Sequence, residues 1–232
     1  MSLKKNLVVL SGAGMSAESG IQTFRDNGGL WEGHDVKEVA TPEAWEADRA
    51  LVLKFYNERR RGLLKAEPNA GHRGLAELEE SFEVEIITQN VDDLHERAGS
   101  NRILHLHGEL RKSRSTVDSS LIYDIEGSEL SEGDCCDKGS QLRPHIVWFG
   151  EAVPAMDQAV KITKQADIFL IIGTSLAVYP AASLIDYTKP DCQLFLIDPK
   201  KSESWLPSRL EHIEEGASKG VEILKERLIS GC

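Results

Sequence analysis

Long apolar runs are missing from this 232-residue chain. No stretch approaches the roughly 18 residues that a membrane-spanning helix requires. No basic-then-apolar leader opens the sequence either, so an unexported, cytoplasmic protein with no membrane attachment is expected. Basic residues are in short supply: 27 Lys and Arg stand against 38 Asp and Glu, a net charge of −11. That deficit excludes unassisted nucleic-acid binding, where positive patches supply most of the affinity, and suits basic partners such as lysine-rich segments. Cysteine is scarce too. Four residues, two of them adjacent, do not make a disulfide framework, and a reducing compartment fits best. Repeats and low-complexity tracts are absent. What remains is a chain that is 41% hydrophobic, enough for one large domain with an elaboration or for two unequal ones.

Apolar stretches alternate with helical patterns, which predicts a parallel α/β sheet. Candidate strands are Leu7–Leu10, Val84–Thr88, Ile103–Leu106, Ile168–Gly173 and Gln193–Ile197. Helical patterns cover Pro42–Ala50, Ala50–Lys65 and Gly71–Ser81, where Leu75, Leu78 and Phe82 share a face, and an amphipathic helix closes the chain at Val221–Leu228. From Arg111 to Leu142 Ser, Asp, Glu and Gly dominate without strong periodicity. That piece reads as an inserted small module or a long loop.

The chemistry concentrates where strands end. After the first strand, Gly12, Gly14 and Ala17 have the spacing of a dinucleotide loop, and Ser16 with Glu18 suits a helix start whose N–H groups face an anion. The alternative is a tight turn that needs glycine. Where an ordinary hydride-transfer fold would carry its ribose-binding acid, this chain has the polar, glycine-rich stretch from Asp26 to Gly33. Such a loop folds over its ligand, with Phe24 and Arg25 in it, which argues against a simple dehydrogenase. Gln89, Asn90 and Asp92 follow Thr88 at once. They can read a ribose hydroxyl or a carboxamide, or one of them can cap the next helix. In Leu104-His-Leu-His-Gly-Glu109 the two histidines share a face. No third ligand stands near them, so no metal is expected. His107, at the strand end, is the candidate general base, while His105 and His72 read as structural. Gly173, Thr174 and Ser175 form a second ribose- or phosphate-reading turn.

These segments follow one another in the order of a known family: Gly12-Ala-Gly-Met-Ser16, Ser19-Gly20, Phe24-Arg25, Thr88-Gln-Asn-Val-Asp92, His107-Gly108, Arg143-Pro-His-Ile-Val-Trp-Phe-Gly-Glu151 and Gly173-Thr-Ser-Leu-Ala-Val-Tyr-Pro-Ala181. Over nearly its whole length the chain resembles the sirtuins, NAD-dependent protein-lysine deacylases. The resemblance implies a Rossmann-type domain of about residues 1–30, 70–108 and 143–232, with a small domain from insertions at about 31–69 and 109–142. It puts Gly12, Ala13 and Gly14 at the NAD pyrophosphate, with Ser16 beside them, and Phe24 and Arg25 in the cofactor loop. Asn90 and Asp92 would hold the nicotinamide carboxamide, Gln89 the nicotinamide ribose, and Gly173, Thr174 and Ser175 the phosphate and adenosine side. The segments from Val147 through Phe149 and Gly150 to Glu151, and from Leu176 through Val178 to Tyr179, would sandwich an acyl-lysine peptide as an added strand. In the family's reaction the acyl oxygen attacks the anomeric carbon of the nicotinamide ribose and expels nicotinamide. The general base, here His107, then helps the 2′ oxygen attack, leaving free lysine and O-acyl-ADP-ribose.

Tyr56 and Arg59 lie three apart on one helical pattern and resemble the Tyr-x-x-Arg pair by which one sirtuin class recognises succinyl- and malonyl-lysine. The alternative is an exposed basic helix, since Arg60 and Arg61 follow. Three departures from the family stand out. No cysteine occupies the segment Arg111–Ser119, where a first zinc-binding pair belongs, and only Cys135-Cys136 remain of the second, so no bound zinc is expected. Gln22 replaces a frequent proline. Leu196 replaces the asparagine of the adenine ribose, for which Asp198 is the candidate substitute, with Ala217 as a candidate adenine contact. Two other functions fit the same residues: an NAD-dependent ADP-ribosyltransferase or glycohydrolase, and a non-catalytic NAD-sensing module.

Overall fold

The first strand, β1 (Asn6–Ser11), is buried because its alternate side chains feed two cores, Leu7 and Val9 on one face and Val8 and Leu10 on the other. A single helical turn, α1 (Gly14–Ala17), follows it. The computed structural model describes residues 4–22, 30–31, 33–200 and 206–230, so Phe24 and Arg25 lie outside the described residues. The short hairpin β2 (Leu30–Trp31) and β3 (His34–Asp35) leads into α2 (Val36–Val39), α3 (Pro42–Ala47) and α4 (Arg49–Leu63). The boundaries follow from capping chemistry. Thr41 Oγ1 accepts from the Ala44 N–H at 3.1 Å with Pro42 at the first helical position, and Asp48 accepts from the Leu51 N–H at 2.8 Å.

The chain then returns through α5 (Ala70–Glu77) to β4 (Glu83–Thr88), α6 (Leu94–Arg97) and β5 (Ile103–His105). An antiparallel excursion comes next: β6 (Gly108–Ser115), β7 (Ile122–Asp124) and β8 (Leu142–Ile146). Helix α7 (Met156–Thr163), β9 (Ile168–Ile172), β10 (Gln193–Ile197), β11 (Leu210–Ile213) and α8 (Ala217–Ser230) complete the chain.

The large sheet is parallel throughout, in the order β11-β10-β9-β1-β4-β5. Its winding reverses between β1 and β9. In a doubly wound fold, ligands bind at such a switch point, beyond the carboxyl ends of the strands. One face of the sheet is covered by α5, the 3-10 turn Leu78–Glu80 that follows it, and α8, through Leu75, Leu78, Val221 and Leu224. The other is covered by α7 and the 3-10 segment Ala181–Tyr187. Each of the five apolar strands expected from sequence is present within a residue or so at its ends, and β11 is an addition. The helix after the glycine loop is a correction: it starts at Gly14, before Ser16, and lasts one turn.

The segment from Arg111 to Leu142 is a module, not a long loop. Strand β6 runs into it and pairs with β7 and β8 in an antiparallel sheet. The strand was unreadable because two of its inward positions carry hydroxyls, Ser113 and Ser115, both nearly inaccessible. The module packs on α4 through Leu110, Ile125, Leu130 and Leu142 against Phe55, Tyr56 and Leu63. The architecture is therefore a Rossmann-type α/β sheet with a small inserted domain. Among the described residues, no helix is long and apolar enough to cross a membrane.

Arg60 corrects the exposed-helix alternative, since it is fully buried beneath the module. Its Nε donates to the Leu110 carbonyl at 2.7 Å, and its Nη1 donates to the Ser128 carbonyl at 2.7 Å and to Asn57 Oδ1 at 2.8 Å. Asn57 in turn exchanges hydrogen bonds with the main chain of Leu130. Burial lowers the Arg60 pKa to about 10, which leaves it a cation at neutral pH. Replacing Arg60 with Met would strand two main-chain carbonyls, each an unmade bond of about 1–3 kcal/mol. Arg60→Met should therefore lower unfolding free energy in urea by about 3 kcal/mol; a loss under about 0.5 kcal/mol would show that the buried cation is not a tie.

Candidate active site

The turns after β1 and β9 interlock at the switch point. The Gly14 N–H donates to the Gly173 carbonyl at 2.8 Å, and the Gly12 N–H to the Ile172 carbonyl at 3.0 Å. Gly173 has φ +63°, and a Cβ there would lie 2.2 Å from the Met15 nitrogen. A Cβ on Gly14 would meet Gly173 Cα at 2.7 Å. The glycines are thus required by the fit of one loop to the other, in addition to any ligand. Gln89 closes the edge by donating through Nε2 to Thr174 Oγ1 at 3.1 Å. The structure therefore gathers Gly12, Gly14, Gln89, Gly173 and Thr174 at one sheet edge, and Ala13 and Ser175 are their chain neighbours.

Behind these turns lies a buried polar network. Ser16 Oγ donates to Asp92 Oδ2 at 2.9 Å and accepts from Asn90 Nδ2 at 3.1 Å. His72 approaches the same hydroxyl at 3.5 Å, while its Nδ1 accepts from the Asn69 N–H at 3.3 Å. The other Asp92 oxygen accepts from the Leu94 N–H at 3.2 Å. The capping reading of Asp92 is therefore met by one carboxylate oxygen, while the other is held by Ser16. Burial raises its pKa, with the Ser16 and Leu94 bonds opposing. His72, read from sequence as structural, packs edge-on to His95 with ring centroids 4.9 Å apart, and His95 Nε2 contacts Ser11 Oγ at 3.0 Å. Burial lowers the His72 pKa to about 4 and His95 well below its usual value, so both rings are neutral.

The two neighbouring histidines of the β5 end are driven apart electrically. His105 bonds the Asn90 carbonyl at 3.1 Å and the Glu96 carboxylate at 2.7 Å, so both its nitrogens face acceptors. Burial works against its charge, yet Glu96, with the Asn90 carbonyl and Glu109 adding to it, outweighs burial and raises the pKa. Burial lowers the pKa of His107, opposed only by the carbonyl of Gln89. That carbonyl lies 3.0 Å from Nδ1 and can only accept, so Nδ1 carries the proton and Nε2 holds a basic lone pair. One histidine with its pKa lowered beside another with its pKa raised is the kind of separation that proton-transfer sites use. Gly108 fixes the exit: at φ +83°, a Cβ there would lie 2.0 Å from the His145 carbonyl oxygen.

Tyr56 of α4 faces the segment that follows β8, and Arg59 lies one turn further along the helix. Tyr56 is fully buried, and its hydroxyl accepts from Trp148 Nε1 at 3.0 Å. Burial pushes its pKa well up, with the nearby Arg59 charge as the largest opposing influence. Arg59 is half-buried, 5.7 Å from the centre of the Phe55 ring. Among the expected peptide contacts, Phe149 and Val178 are exposed, 48% and 39%, Gly150 is exposed, and Val147 is half-buried. The carboxylate of Glu151 is already committed. It accepts from Arg143 at 2.8 Å, from Arg114 at 3.2 Å and from the Trp148 N–H at 2.7 Å. Sequence reasoning passed over Trp148 and Arg143 as contacts; the only signal was their membership of the Arg143–Glu151 motif. Leu196 is buried inside β10 among apolar side chains. Asp198 turns its carboxylate to the Lys200 N–H at 2.9 Å, and Ala217 opens α8 as a buried residue.

The donor set of the small module does not fit a zinc ion. Cys136 is buried and its thiol donates to Ser115 Oγ at 3.2 Å, whereas Cys135 is exposed. Among the described residues, no group of three His, Cys, Asp or Glu side chains could hold a metal.

Comparison with known proteins agrees with this geometry. The chain is 56% identical over 225 residues to an "NAD-dependent protein deacylase" of Helicobacter pylori, covering 97% of this chain and 98% of that one. It is 56% identical over 230 residues to a protein of the same name from Bacteroides thetaiotaomicron, again covering 97% and 98%. A crystal structure of a Sir2 homologue in complex with NAD superposes with a TM-score of 0.88 at 39% identity, over 98% of this chain and 91% of that one. A model of the Sir2 family matches residues 12–180, most of the sequence and both turns of the switch point, and the chain belongs to that family.

Proposed function

We propose that this NAD-dependent protein deacylase removes acidic acyl groups, succinyl and malonyl, from lysine side chains in addition to acetyl. The observation that carries the reading is the pairing of Tyr56 with Arg59 on α4, a phenol and a guanidinium close enough for the charge of one to act on the other. A fork of N–H donors with one O–H donor suits a carboxylate, whereas an acetyl group gives them nothing to bind.

The donor chemistry at the switch point fits NAD. Gly12, Ala13 and Gly14 would face its pyrophosphate, and Gly173, Thr174 and Ser175 its phosphate and adenosine side, with Asp198 and Ala217 further along. Asn90 and Asp92 would hold the carboxamide, with Ser16 behind them, and Gln89 would take the ribose. Bound there, NAD supplies an anomeric carbon that can accept the acyl oxygen. His107 takes a ribose hydroxyl proton at Nε2, and its bond to the Gln89 carbonyl keeps that nitrogen unprotonated and aimed. Asp92 and Asn90 stay oriented because Ser16 satisfies both. Val147, Phe149 and Gly150 on one side and Val178 on the other would pair with the peptide main chain, which asks little of flanking sequence. Glu151 acts there through the main chain, its carboxylate being used by Arg143. The small module keeps its shape by the Arg60 ties and its apolar contacts, without zinc.

Four outcomes test this reading. Paired acetyl- and succinyl-lysine peptides, followed by mass spectrometry with and without NAD, should lose both acyl groups only with NAD. Arg59→Met should then cut succinyl removal by at least tenfold more than acetyl removal; equal losses would sink the carboxylate pocket, and nicotinamide release without deacylation would point to a transferase or glycohydrolase. In the pH profile of kcat/KM, activity falls as the base is protonated, and the acid limb should lie below the usual histidine value of 6.5. A limb centred above that value would exclude His107 as the base. Extensive dialysis against a chelator should leave activity and the thermal midpoint unchanged, and one zinc per purified chain would contradict a metal-free module.

A further inference from the structure

The hydroxyl of Tyr56 is buried, and its environment is one-sided. A phenol offers one hydrogen and two lone pairs. Trp148 Nε1, a donor only, occupies a lone pair at 3.0 Å. The charge that acts most strongly on the ring is Arg59, whose guanidinium is likewise all donor. Among the described residues no side chain or carbonyl accepts the Tyr56 hydrogen. The one carboxylate acting on the ring, Glu151, has both oxygens engaged by Arg143, with Arg114 and the Trp148 N–H adding to them. A buried hydroxyl is therefore left with a hydrogen to give and nothing among the described residues to receive it. Leaving such a group unsatisfied is costly, so the position favours an acceptor arriving from outside.

The indole that imposes this is itself clamped. Arg143 stacks over the Trp148 ring with its guanidinium carbon 3.3 Å from the centroid, Trp45 lies 5.8 Å away on a tilted ring, and the main-chain N–H of Trp148 is tied to Glu151. With the ring held, its N–H cannot turn away from Tyr56, and Tyr56 cannot use its hydrogen on the indole.

We propose that Trp148 is a specificity-determining positioning residue: its indole N–H fixes the Tyr56 hydroxyl as a hydrogen donor and so favours acyl groups that end in an acceptor, a carboxylate above all. The inference rests on the acidic-acyl reading of Tyr56 and Arg59 and adds the group that makes the tyrosine selective. Without that N–H the phenol could rotate, present a lone pair, or bind a water, and its preference for a carboxylate would weaken. An acetyl group makes no use of the hydroxyl and is insensitive to this switch.

The test is a double-mutant cycle read as the ratio of kcat/KM for succinyl- and acetyl-lysine peptides of one sequence. Trp148→Phe keeps a ring beneath Arg143 and deletes the donor. The ratio should fall about tenfold, with the change carried by KM for the succinyl peptide. Tyr56→Phe should lower the ratio as well, and the double variant should fall no further than Tyr56→Phe alone. If Trp148→Phe proves unstable, replacing Trp148 with benzothienylalanine removes only the N–H from an equal-sized ring and should give the same ratio. A drop shared equally by both peptides, or an additive double variant, would overturn the role of Trp148 while leaving the acidic-acyl reading in place. If neither Tyr56→Phe nor Arg59→Met changes the ratio, that reading itself falls, and the positioning role falls with it.

Discussion

The close approach of two strand-end turns is the constraint on which this molecule depends. β1 and β9 are neighbours in the sheet, yet the chain winds outward from them in opposite directions, so a crevice must open where they end. Here the crevice floor is a contact between Gly14 and Gly173, main chain against main chain with a 2.8 Å hydrogen bond. Any side chain at Gly173 would collide with the backbone opposite. This contact sets the height of every group on that edge, from Gln89 and Thr174 to the network around Ser16.

Beneath the crevice the protein accepts a concentration of buried polar groups that would be costly if any were left unmet. The Ser16 hydroxyl is used completely, giving its hydrogen to Asp92 and receiving from Asn90, with His72 nearby. Such networks are favourable only when closed, and closing them fixes the orientation of each member. Electrostatics then divides labour among four histidines. His72 and His95 are kept neutral by burial, His105 is held towards the charged form by Glu96, and His107 keeps an available lone pair.

Much of this was legible in the sequence, for a physical reason. Strands buried on both faces must be apolar throughout, so Val84–Thr88 and Ile168–Ile172 announce themselves, and a parallel sheet brings polar residues that follow such strands to one edge. His107, Asn90 and Gly173 were legible on that ground alone, before any resemblance to a family. The inserted module was not, because β6 buries Ser113 and Ser115 where alternation would call for apolar side chains. Arg60 was hidden in a run of three arginines; nothing local distinguishes the one whose hydrogen bonds lie within the protein. The meeting of Trp148 with Tyr56 spans 92 residues of sequence and depends on how the module docks on α4, which no local pattern records.

The two halves of the site are built from different materials. The cofactor edge is interlocked main chain, in which each turn is the mould for the other, so a change in one must be matched in its partner. The acyl side, as proposed, rests on side chains of a single helix and one clamped indole. If the proposed acyl pocket is right, such a division would let the enzyme's diet drift while its reaction stands still: a few exchanges along α4 would redraw which modifications are erased, and the interlocked turns, indifferent to what hangs from the lysine, would need no renegotiation.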